Sequence, residues 1–147
     1  MASVRMPVDG ENFLQFVVGT SGERKDLSYI PTFAHLICTA AAYGLSHGEY
    51  VDDPECKLKQ PDPVALDIFK NRNLDEVLLV LAINHTEDTA IANDPDALCR
   101  VIEGLAAGGF LRMVELLQEG GSAHSWLDDW EDAVLSAASE DLADDAG

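Results

Sequence analysis

Apolar residues recur at helical spacing through most of this chain, and the breaks between periodic stretches carry proline, glycine and capping residues. From Pro31, a residue type favoured in a first helical turn, Phe33, Leu36, Ile37, Ala40 and Gly44 fall on one face with Leu45 beside them. That spacing predicts a helix. Gly44 and the run Ala40 to Ala42 keep the face thin, so a neighbouring helix can approach closely. Ser46 to Asp62 is polar and holds Gly48, Pro54 and Pro61, the composition of a long loop. Asp62-Pro63 is a cap and first-turn pair for a short helix through Phe69. Asn73 or Asp75 starts the next. That segment, Leu74 to Asn84, is apolar on nearly every side and is predicted to be the central, most buried helix.

Asp94-Pro95 repeats the start signal for the longest helix. Leu98, Val101, Ile102, Leu105, Met113, Leu116 and Leu117 line its face until Gly120-Gly121 ends it. Gly108-Gly109 interrupts this helix at a cost of about 1 kcal/mol per glycine relative to alanine. Either the helix breaks there or another backbone packs against it. Gly44, Gly108 and Gly109 are therefore the expected close-packing positions.

The ends are less periodic. Residues 1–10 predict a flexible N-terminus. Phe13, Phe16, Val17 and Val18 fit a short helix or a strand, closed by the turn-rich Gly19-Thr20-Ser21-Gly22. A last helix, Ser125 to Ala137, places Trp126, Trp130, Val134 and Ala137 on one side, and residues 138–147 form an acidic tail predicted to be disordered. No internal repeat is visible, and no segment alternates well enough to insist on a sheet. The expectation is all-α: a compact bundle of about five to six helices in a single helical domain over residues 11–137, with one buried central helix.

Charge adds the next constraint. The chain has 147 residues, of which 27 are acidic and 9 basic, for a formal net charge of −18. Counterion release, the main source of affinity for nucleic acid, needs clustered lysine and arginine, and no such cluster occurs. The acids are dispersed along the chain. Dispersion fits a solvated shell of the kind seen in a high-salt host; mimicry of DNA, or docking on a basic partner, wants ordered rows of acids. Hydrophobic residues make up 47% of the chain, enough for a real core. The longest uninterrupted apolar run, Val77 to Ile83, is too short to span a bilayer. The first residues offer no basic segment followed by an apolar one, so no signal peptide is expected. Cys38, Cys56 and Cys99 are widely spaced, and two of them sit in apolar helical patterns. A reduced, cytoplasmic protein fits best.

Candidate chemistry is thin. Asp53-Pro54-Glu55-Cys56-Lys57 contains a Glu-x-Lys, which metal-dependent nucleases use on a strand so that carboxylates hold the metal and lysine steadies the attacking water; here it lies in a proline-flanked loop. His47, Asp52, Asp53 and Cys56 match no zinc spacing. His85, with Glu87 and Asp88, reads as the polar end of a helix, where histidine interacts well with the last carbonyls. Gly19 to Lys25 lacks the spacing of a phosphate loop, and Ser21 has no neighbouring base. No catalytic residue, metal site or cofactor is expected. Trp126 and Trp130 at i and i+4, with Asp128 and Asp132 on other faces, either cap the domain's own core or anchor a partner. His47 and Tyr50 join them as candidate partner contacts.

Three blocks together resemble the DNA phosphorothioation-associated, or Dnd system-associated, protein four family. The first is Thr32 to Gly48, an alanine-rich helix closing on Gly-x-x-His-Gly. The second joins Ile68-Phe-Lys-Asn-Arg72, Leu74 to Ile83 and His85-Thr-Glu-Asp88. The third is Ile102-Glu103 with Ala107-Gly-Gly-Phe-Leu111. The resemblance covers about residues 11 to 135. It implies a place beside systems that replace a non-bridging phosphate oxygen of DNA with sulfur, and whose restriction arm attacks unmarked DNA in antiviral defence. Similar proteins accompany that arm, and no active site carries over. The implied role is an accessory or regulatory subunit, not an enzyme, acting by contact with the restriction-arm proteins. An acidic DNA mimic and a DNA-binding module are the alternatives. The loop Glu49-Tyr50-Val51-Asp52-Asp53 is acidic where relatives are expected to be basic, which argues that DNA contact is indirect.

Overall fold

The computed structural model describes residues 2–17 and 30–120. The expected helix Ser125 to Ala137, the acidic tail and the Gly19 to Lys25 loop lie outside these described residues, as do Trp126, Asp128, Trp130 and Asp132.

Helix α1, Phe33–Ser46, starts two residues after Pro31 because Thr32 is the cap: its side-chain oxygen accepts from the backbone N–H of His35 at 3.2 Å. Helix α2, Leu66–Asn71, is a short turn carrying the buried Phe69. Helix α3, Asp75–Thr86, places Asp75 and Glu76 in its first turn, where carboxylates complement the helix dipole. It ends on Glu87, held in the left-handed region at φ 56°. Helix α4, Pro95–Gly120, matches the expected range. Asp94 caps it, accepting from Ala97 N–H at 3.2 Å. A 3-10 helix over Val8–Phe16 and a 3-10 turn over Thr89–Asn93 complete the helical elements of the described residues.

The all-α expectation needs correcting. The fold is dominated by helices but contains two small antiparallel ladders. Strand β1, Ser3–Val4, pairs with β4, Val64–Ala65; β2, Met6–Pro7, pairs with β3, Cys56–Lys57. Val8 N–H adds a bond to Glu55 O at 3.0 Å. Residues 2–10 are therefore built into the structure, with Val4 and Met6 fully buried, where their lack of a period predicts a flexible lead. Two-residue strands are too short for a period of two to stand out in a sequence, which is why they escape a pattern reading.

The buried helix also differs from expectation. Helix α3 buries Leu78, Leu81 and Ala82 but leaves Val77 39% and Val80 38% exposed. The centre is the pair α1 and α4, which make the most extensive contact of the fold. Every residue from Ile102 to Phe110 is buried, glycines included. The reason is the size of the side chains at the crossing. Gly44 of α1 meets the backbone at Leu105 and Gly109, and Gly109 meets the carbonyl of Ala40. Added β-carbons there would collide with main chain, so the two helices touch backbone to backbone. The long helix does not break at Gly108-Gly109. Phe13 stacks on Phe110, with ring centroids 5.6 Å apart, and closes one end of this core. Among the described residues, no helix is long and apolar enough to cross a membrane.

Candidate functional site

The second glycine row of α4 positions a loop. Gly104 and Gly108, one turn apart, lie under the segment that leaves α1. A β-carbon on Gly108 would strike the backbone of Glu49, and one on Gly104 would strike the ring of Tyr50. The same segment is pinned by Glu49 N–H to Gly44 O at 2.8 Å and by Val51 N–H to Gly104 O at 3.1 Å. The Tyr50 ring stacks on His85 of α3, centroids 4.2 Å apart. Glycine-lined helix, loop and α3 together fix one aromatic side chain that remains 37% exposed.

Beside it opens a cleft of ≈ 180 Å³, lined by Arg5, Tyr50, Asp52, Asp53, Pro54, Arg100 and Glu103. Its floor is an ion cluster. The carboxylate of Glu103 is 1% exposed, and Arg5 reaches it in two-pronged fashion: Nε donates to Oε2 at 3.1 Å and a terminal nitrogen to Oε1 at 2.9 Å. The backbone N–H of Arg5 donates to the same Oε2 at 2.7 Å. Arg100, one helical turn before Glu103, pairs with Oε1 at 3.2 Å and donates to Ser3 O at 3.0 Å. A buried carboxylate is tolerated only when paired and hydrogen-bonded in this way. The cluster ties the N-terminal strands to α4.

Electrostatic consequences follow. Its hydrogen bond to Glu103 holds the Arg5 guanidinium above its ordinary range, against an opposing effect of burial. Burial, and then the charge of Asp52, raises the Tyr50 phenol. Burial also pushes the thiol of Cys38 up to about 12 and those of Cys56 and Cys99 up to about 11. Such thiols are poor nucleophiles at neutral pH.

Of the candidate contact residues, Tyr50 lines the cleft and His47 does not. His47 caps the end of α1, its ring 4.2 Å from that of Tyr43 and its Nδ1 3.1 Å from Tyr43 O. In the Glu-x-Lys pattern, Lys57 is on β3 and forms an exposed ion pair with Glu11 at 3.3 Å. Among the described residues, no group of three histidine, cysteine or carboxylate side chains is placed to hold a metal ion. Arg5, Arg100 and Glu103 were not expected as a site. The available signal was a lone acid within the small and apolar stretch Val101 to Leu111, preceded by arginine at i−3; a charge in such a stretch must find partners. Arg5 carried no comparable signal, because its contact spans 98 positions of sequence.

A family of proteins described as DNA sulphur modification system-associated protein 4 matches this chain over residues 3–143. No curated protein and no solved structure matches it.

Proposed function

We propose that this chain, which belongs to the DNA sulphur modification system-associated protein 4 family, is a non-enzymatic accessory subunit of phosphorothioation-dependent restriction, acting by protein contact. The observation that carries this reading is the family match across almost the whole chain. The chemistry of the cleft supports it. Arg5, Arg100 and Glu103 are committed to one another and hold the N-terminal strands in place. Their geometry is that of a structural ion cluster, with no nucleophile and base aligned for a reaction.

The cleft also speaks against direct DNA contact. Its two guanidiniums face three carboxylates, Asp52, Asp53 and Glu103, so it offers phosphate no net positive charge. Contact with the restriction-arm proteins, in a cytoplasmic defence complex, is the role we propose.

Co-expression of the tagged full chain with the other proteins of its system tests the proposal. Co-purification in a defined ratio is the expected result. Isolation of the chain alone, as a monomer indifferent to those proteins, overturns it. Competition by duplex DNA for the same partner would replace it with the DNA-mimic reading.

A further inference from the structure

We infer that the cleft at Tyr50 is a docking point for a cationic side chain, arginine or lysine, of a protein partner. This rests on the protein-contact reading above and names the chemistry of the contact.

Four observations converge. The cleft is concave, and its ≈ 180 Å³ suits a single long side chain. Its walls are rigid, because Tyr50 is clamped between His85 and the Gly104 backbone while Val51 is bonded to Gly104 O. Rigid aromatic residues beside arginines are the composition of interface anchors. The two guanidiniums in the lining are engaged by the buried Glu103, and Arg100 also by Ser3 O, so the carboxylate balances one of their two positive charges. Asp52 and Asp53 are exposed, and among the described residues neither forms an ion pair. Asp53 acts on Arg5 only through space.

The lining therefore holds one carboxylate more than it holds guanidiniums, with the uncommitted acids at the mouth. A cation entering there meets Asp52 and Asp53 first, and the Tyr50 hydroxyl supplies a further acceptor. The net charge of −18 draws basic surfaces toward it at a distance. An anionic ligand meets the reverse on both counts.

The test uses the full chain and two capped tripeptides, acetyl-Gly-Arg-Gly-amide and its citrulline counterpart, followed by amide NMR because one side chain binds weakly. Asparagine is the replacement of choice at both acids, since Asp53 has φ 50° and asparagine tolerates that region. The expected result is saturable shifts at Tyr50, Val51, Asp53 and Gly104 with the arginine peptide. Binding should fall roughly tenfold or more in the D52N/D53N double variant, and the neutral citrulline peptide should give none. Equal binding of both peptides overturns the inference. So do shifts scattered over the acidic surface that the double variant leaves unchanged, or the same cleft shifts produced by a DNA duplex.

Co-purification separates this inference from the proposal it rests on. If the arginine peptide fails while the wild-type chain still co-purifies with its system, the cleft assignment falls and the accessory role stands. If the peptide binds but the chain co-purifies with nothing, the accessory role falls alone.

Discussion

Helices α1 and α3 both pack on α4, and they do so by opposite means. At the α1–α4 crossing, Gly44 and Gly109 let main chain touch main chain, and alanines fill what little space is left. At α3, contact is made by large side chains, Leu78 and Leu81, while Val77 and Val80 face outward. The longest uninterrupted apolar run of the chain, Val77 to Ile83, lies on the more exposed of these two helices. Burial in this protein is set by how closely backbones can approach, and apolar content alone misjudges it.

The sharpest way to break this contrast is Gly109→Leu. The added side chain has no room beside the Ala40 carbonyl, so α1 must leave α4, at a cost of about 3 kcal/mol or more. Thermal unfolding by circular dichroism should show a large drop in Tm or no cooperative transition. A variant of near-native stability would mean that the seam is loosely packed.

Glu103→Gln follows in size and separates charge from packing on the same helix. The amide keeps the volume but leaves two guanidiniums without their carboxylate, a loss of about 2–3 kcal/mol after allowing for the partial exposure of both arginines. Hydrogen exchange at Val4, Met6 and Val8 should rise ahead of exchange in α1. Uniform change across the chain would show that the cluster does not hold the N-terminal strands specifically.

On α3 the effects should divide by face. Leu81→Ala should cost about 2 kcal/mol, whereas Val77→Thr and Val80→Thr should each stay within about 0.5 kcal/mol. Chemical denaturation measures all three. Comparable costs on the two faces would mean that the outer face is covered in solution.

The smallest effect is a pH dependence on α1. Burial, and then the charge of Arg72, lowers the His35 imidazole below its ordinary value. The unfolded chain therefore binds the proton more readily, and stability declines as pH falls below the ordinary histidine value of about 6.5. In His35→Gln that part of the slope should disappear, read from denaturation midpoints between neutral and mildly acid pH. An unchanged slope would remove His35 from the account.

Much of this arrangement was legible in the sequence, for identifiable reasons. Asp94-Pro95 marks the start of α4, because proline and a capping aspartate act locally on the backbone. Gly44 and the Gly108-Gly109 pair advertised close approach, since an interior glycine is costly unless something uses the space. Prominence of Leu74 to Ile83 misled, because hydrophobicity records what a residue prefers and not what geometry allows it. The ladders and the Arg5–Glu103 pairing join residues far apart in the chain, and local periodicity carries no information about such partners. Tyr50, in an acidic loop, is one of the candidate partner contacts read from the sequence. Its place beside Arg5 and Arg100 depends on the glycine row at Gly104 and Gly108, visible only in three dimensions.

The pairing of residues 3–7 with segments 49 to 62 positions later also sets an order of events during synthesis. When the first residues leave the ribosome, their strand partners have not been made, and Glu103 is still about 98 residues away. At about 5–20 residues per second, Val4 and Met6 wait several seconds before their pockets exist. The beginning of this chain is among the last parts of it that can become native.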